Sequence, residues 1–224
     1  MMLRSTLLCL GLPLLAACAP SPKAVTAPPP PVATVERRAS DVPREADEYT
    51  LYELLAPDSA QFHILFEVTA ITPGATAYFN PIRKGSEASG ESVRDRATSQ
   101  PLPFEVVSGE EARKSGLPEA DLATNYIRVH LPRPVPAEGG IRLLIEKTYK
   151  DAKSYAQEGA DRLVFSRTLG IRRNAIVLPA GYELVGCNYP SQIVTGSDGR
   201  IKVSFMHPGP DAVPLVLKAR RLGK

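Results

Sequence analysis

The 224-residue chain contains no tryptophan, three histidines and three cysteines, and each scarcity closes off a class of function. Without tryptophan, any aromatic ligand face has to be built from tyrosine and phenylalanine, which counts against carbohydrate binding. Cys9 and Cys18 belong to an N-terminal apolar segment, so Cys187 stands alone in the bulk of the chain. No disulfide can form within that bulk, and packing must supply the stability. The histidines, His63, His130 and His207, lie too far apart for the paired spacing of zinc ligands, and neither His-Glu-x-x-His nor Gly-x-Ser-x-Gly occurs. No metal, cofactor or catalytic set is therefore expected. Charge of one sign is also lacking. The formal net charge is +3, falling to +2 without Arg4, with the basic residues scattered, so nucleic acid is excluded as a partner.

The one extended apolar run, Leu7 to Leu15, is about half the roughly 20 residues needed to span a bilayer. Arg4 precedes it and Ala16-Ala17 come after it, the three parts of a secretory signal over residues 1–17. Leu15-Ala16-Ala17-Cys18 resembles the lipobox of bacterial lipoproteins. The resemblance implies a lipid on Cys18, a new N-terminus there, and attachment to the cell envelope. Ala19, next in the chain, resembles the residue after the cysteine in outer-membrane lipoproteins, implying the periplasmic side of that membrane. Two or three acyl chains, at about 0.8 kcal/mol per buried methylene, hold a protein stably at a lipid surface. Residues 18–48 then read as a tether. Pro20, Pro22 and Pro28-Pro29-Pro30-Pro31 favour polyproline II and exclude helix or ladder, and a mixed-charge lead-in completes it. At about 3.1 Å per residue, the proline-rich part reaches roughly 50 Å.

About 180 residues remain, enough for one domain or two small ones. Their clearest periodicity is two. Phe62, Ile64, Phe66 and Val68 alternate with His63, Glu67 and Thr69; Ile127, Val129 and Leu131 alternate with Arg128 and His130; Ile141, Leu143 and Ile145 alternate with Arg142 and Glu146. Ile193 to Thr195 and Ile201 to Phe205 form a hairpin around Gly196-Ser197-Asp198-Gly199. Val213 to Leu222 is a last strand, which Pro214 marks as an edge. Ser108 with Glu111 forms a capping box for a short helix that Gly116 ends. The expected fold is an all-β antiparallel sandwich, one large or two small in tandem, with at most one or two short helices. An N-terminal sandwich over 49–150 and a C-terminal β region over 151–224 divide it, with Asp151 to Gly159 as the hinge if there are two bodies.

The stretch Tyr126 to Pro136, continued by Gly139-Gly140 and Ile141 to Tyr149, is similar to the N-terminal β-domain of large zinc aminopeptidases. Arg167 to Tyr182 looks like segments of uncharacterised secreted bacterial proteins with such a domain. The resemblance implies a scaffold. The peptidase His-Glu-x-x-His and Gly-x-Met-x-Asn motifs are missing, and a catalytic domain has no room.

Candidate chemistry is sparse. His63 and His130 would meet, with Glu67, if their strands were neighbours; otherwise they are surface histidines. Cys187 is a buried structural thiol, or a nucleophile if a histidine adjoins it. Tyr155, Tyr149 and Tyr78 are the candidate ligand-binding aromatics, Tyr155 in an exposed loop. The sequence therefore points to a non-catalytic envelope lipoprotein, a binding or structural module meeting the membrane through Cys18 and another envelope protein or peptidoglycan. The alternatives are a small hydrolase using Cys187 or a carboxylate pair, and a peptide- or glycan-binding accessory module.

Overall fold

A computed structural model describes residues 47–209 and 211–223; the signal segment, Cys18 and the proline-rich stretch lie outside the described residues. The described chain is an all-β sandwich with one short α-helix. Its largest layer is a seven-stranded sheet in the order β12-β13-β10-β1-β2-β7-β4. These strands are β1 (Tyr49–Leu54), β2 (Gln61–Ala70), β4 (Glu87–Asp95), β7 (Ile141–Lys150), β10 (Arg173–Val177), β12 (Gln192–Thr195) and β13 (Ile201–Met206). A four-stranded sheet, β11-β14-β9-β8, is built from β8 (Tyr155–Glu158), β9 (Arg162–Leu169), β11 (Tyr182–Cys187) and β14 (Val213–Arg221). A three-stranded sheet, β3-β6-β5, comprises β3 (Ala77–Pro81), β5 (Phe104–Ser108) and β6 (Asn125–His130).

Alternation drives this arrangement. Along β2 every second residue from Phe62 to Ala70 is buried, and β7, paired with it in antiparallel register from Gln61↔Lys150 to Ala70↔Ile141, does the same. The inward rows meet β9 and β14 across the core. Phe62 lies edge-on to Phe165, with ring centroids 5.4 Å apart, and Tyr52 packs on the same ring at 5.5 Å. Burying each such ring contributes roughly 2–3 kcal/mol.

The strands run antiparallel except for β1 with β10, which pair in parallel from Tyr49↔Arg173 to Glu53↔Val177. That pair joins the first strand of the described chain to one from beyond Asp151, so residues of both halves share the large sheet. The expected hairpin is present, with Thr195↔Ile201 closing it. Pro214 does not mark an edge: β14 is interior, between β9 and β11. The proline is tolerated because β11 pairs only with Leu217 to Arg221, leaving Pro214 a ladder neighbour on one side, Thr168.

The helix α1 (Gly109–Lys114) starts as its capping box requires, with Ser108 Oγ accepting from Glu111 N at 3.2 Å. Gly116, at φ +124°, ends it. Gly109 sits where a Cβ would stand 2.0 Å from the Asp121 carbonyl oxygen. Gly109→Ala is therefore expected to lose about 1–3 kcal/mol in urea unfolding, although alanine is the better helix former. An unchanged midpoint would show that the 121–122 loop yields freely.

Candidate functional site

Two inward rows break the apolar rule. On β7 the sequence Ile141, Leu143, Ile145, Lys147, Tyr149 points into the core, so a lysine occupies a hydrophobic position and is only 4% exposed. On β9 the row Leu163, Phe165, Arg167, Leu169 does the same with an arginine, 7% exposed. Burying a cation without a full counter-charge costs several kcal/mol, so such positions are usually functional or paired.

Arg167 is paired. Its Nη1 lies 3.2 Å from Asp151 Oδ2 and 3.2 Å from Ser154 Oγ. Asp151 also accepts from Ser154 Oγ at 2.7 Å, Ser86 Oγ at 3.1 Å, and the backbone N–H groups of Lys153 and Ser154. The guanidinium lies over the rings of Phe62, Tyr149 and Tyr52, at 5.3, 5.5 and 5.8 Å. Desolvation, above all, lowers the Arg167 pKa.

Lys147 is not matched in this way. Its Nζ donates to Asn80 Oδ1 and the Pro81 carbonyl and lies 5.1 Å from the Tyr149 ring centroid. These are neutral partners. Desolvation, with the nearby charge of Arg167, pushes its pKa down to about 8, while the charge of Glu91 pulls the other way.

Lys147 opens onto a cleft of about 330 Å³ to which all three sheets contribute. The large sheet supplies Thr50, Tyr52, Ile64, Phe66 and Tyr149; Asn80, Pro81 and the nearby Arg83 come from the small sheet and its exit, Arg167 from the middle one, and Ile171 from the loop after β9. Arg83 is exposed, its Nη1 donating to the Thr168 carbonyl while its backbone N–H donates to Tyr149 OH. Three cationic side chains, Lys147, Arg83 and Arg167, line the cleft within an aromatic and aliphatic wall; the nearby carboxylates are Asp151, paired with Arg167, and Glu91, whose charge acts on Lys147. That combination can hold and orient an anion.

The sequence candidates fall elsewhere, with one exception. Tyr149 lines the cleft, 2% exposed. Tyr155 is in no loop: it opens β8, fully buried, its OH donating to the Leu55 carbonyl and its ring beside Phe165. Tyr78 is half-buried on β3, against the main core. His63 and His130 stand on different sheets; the first approaches Thr148 and Glu146, the second Glu105. Cys187 is half-buried, packed against the main core and not fully enclosed. Its Sγ is 3.6 Å from Ser191 Oγ, while His207 bonds Tyr189. Among the described residues no cluster of His, Cys, Asp and Glu could hold a metal ion. The stretch read as a hinge begins at Asp151, which is 8% exposed and held by Arg167, Ser154 and Ser86. Sequence reasoning missed Lys147, Arg167, Arg83 and Asn80. The available signal was the alternation itself: carried two residues past Ile145 on β7 it turns Lys147 inward, and on β9 Phe165 and Leu169 bracket Arg167 on the buried face.

No family model matches the chain, and no curated protein matches it. Among solved structures it is similar to an M1 zinc metallopeptidase from Deinococcus radiodurans, with 12% identity, a TM-score of 0.47, and coverage of 77% of this chain and 41% of that one. A two-domain M1 zinc metallopeptidase mutant bound to L-arginine is similar at 13% identity and a TM-score of 0.46, with the same coverages. The chain thus spans less than half the length of the solved proteins it matches, over their N-terminal domain.

Proposed function

We propose that the protein is a non-catalytic binding module of the bacterial envelope, anchored by lipid on Cys18 at the periplasmic face of the outer membrane, whose ligand is an anion held in the three-sheet cleft. The observation that supports the reading most is Lys147: a buried ammonium with only neutral partners, opening onto a cleft with Arg83 and Arg167. A ligand carrying negative charge offsets the cost of that buried cation, and an empty purely structural core would do better with methionine there. The ligand belongs to another envelope component, protein or peptidoglycan, or is a small molecule of that compartment.

Titration calorimetry of the folded chain with acetate and inorganic phosphate tests the site. Binding is expected in the millimolar range near pH 7, and at least tenfold weaker in Lys147→Met. Equal heats for both proteins would remove the cleft as the site. Anchoring is tested separately: intact-mass measurement is expected to show a diacylglyceryl-modified Cys18 as first residue, and Cys18→Ala to leave the membrane fraction. An unmodified Met1 on membrane-bound protein would refute it.

A further inference from the structure

The lining of the cleft says more about the ligand than its charge does. Ile64, Phe66, Ile171 and the rings of Tyr52 and Tyr149 make most of it apolar. Lys147, Asn80 and the two arginines are set among them, Lys147 directly across the strand pair from Ile64. Arg83 and Arg167 also border a second hollow of about 240 Å³, whose further cations are Lys84 and Lys153 and whose carboxylate is Asp151. The arginines therefore stand between an oily space and a cationic one. A small hydrated anion such as phosphate would engage the cations and leave the apolar lining unused.

We propose, on the basis of the anion-binding reading, that the ligand is an amphiphilic anion: a carboxylate or phosphate head seated among Lys147, Arg83 and Arg167, with a hydrocarbon chain laid along Ile64, Phe66 and Ile171. The head satisfies the cations by charge-assisted hydrogen bonds. The chain lies against Ile64 and Phe66, themselves 4% and 6% exposed, and each ligand methylene buried there multiplies affinity about fourfold. The cleft's volume lies at the lower end of the roughly 300–1,000 Å³ of ordinary ligand pockets, which suits a chain of medium length.

Calorimetry with five probes separates this from the broader reading: octanoate, octyl phosphate, acetate, inorganic phosphate and 1-octanol. Octanoate is expected to bind at least tenfold tighter than acetate and than octanol. Ile171→Ser should weaken octanoate several-fold while leaving acetate unchanged, and Arg83→Ala, a change at an exposed side chain, should weaken both anions. Octyl phosphate exceeding octanoate would assign the head to a phosphate, as in a lipid headgroup; the reverse order assigns a free carboxylate. Acetate binding as tightly as octanoate would overturn the amphiphile and leave the anion site standing. Octanol matching octanoate, or no binding by any probe, would overturn both.

Discussion

Asp151→Ala is expected to cost about 3–5 kcal/mol in urea unfolding, a large part of the whole stability of a domain this size. The carboxylate is the charge partner of Arg167 and takes hydrogen bonds from Ser154, Ser86 and two backbone amides. Removing it leaves a guanidinium enclosed by Phe62, Tyr52 and Tyr149 with no counter-ion and several donors without an acceptor. The double variant Asp151→Ala with Arg167→Met should recover much of the loss, because the orphaned charge goes with the second change. A single-variant loss below about 1 kcal/mol would mean that water reaches Arg167 and the pair is not structural. The same carboxyl sets an acid limit. Burial pushes its pKa up, but the hydrogen bonds of Ser154 and Ser86 and the charge of Arg167 outweigh that and hold it below the ordinary value. A depressed folded-state pKa stabilises above the unfolded value and is lost as pH falls through the folded one, so this contribution disappears at the acid end.

The second large effect runs in the alkaline direction. Lys147 has its folded-state pKa pushed down to about 8 from 10.5. Below pH 8 both states carry the proton, and the folded protein bears the full cost of the buried charge, about 3 kcal/mol. Between pH 8 and 10.5 the unfolded chain binds more protons, so stability rises with pH in that window. From pH 8 to 10 wild type should gain about 2 kcal/mol relative to Lys147→Met, read from paired denaturant curves. The comparison must be relative. Tyr52, Tyr149 and Tyr155 have pKa values raised, chiefly by desolvation, and lower the stability of both proteins above pH 10. Arginines and carboxylates as classes have ordinary pKa values outside this window. The methionine also strands Asn80 Oδ1, a penalty independent of pH, so the slope and not the offset carries the test. Parallel curves would mean that Lys147 is solvated in the folded state.

The strands were the legible part. Phe62 to Thr69 and Ile141 to Ile145 alternate without interruption, and a period of two with one buried face leaves few other folds open. Ser108 and Glu111 located the helix because capping is a local hydrogen bond that four residues specify. The site was less legible. Lys147 and Arg167 look from sequence like the ends of strands, where charge is ordinary. Only the register, Ile64↔Lys147 on one sheet and Arg167↔Leu215 on another, turns both side chains inward. Tyr155 misled in the opposite direction, since its flanking Lys153, Ser154 and Gln157 suggest a loop while its own ring fills the core. Asp151, four residues before it, reads as turn chemistry. Its burial comes from Arg167, 16 residues away on β9.

Period, composition and capping, all of them properties of neighbours along the chain, determined that the bulk of this protein is a layered β structure with a lone cysteine and at most one or two short helices. The meeting of β3, β7 and β9 was decided by tertiary structure alone. It is the place where three sheets fail to close on one another, and no local energy records such a gap. Two cations bound for core positions are tolerable only there, since the gap admits Asp151 to one of them and opens the other to whatever enters the cleft.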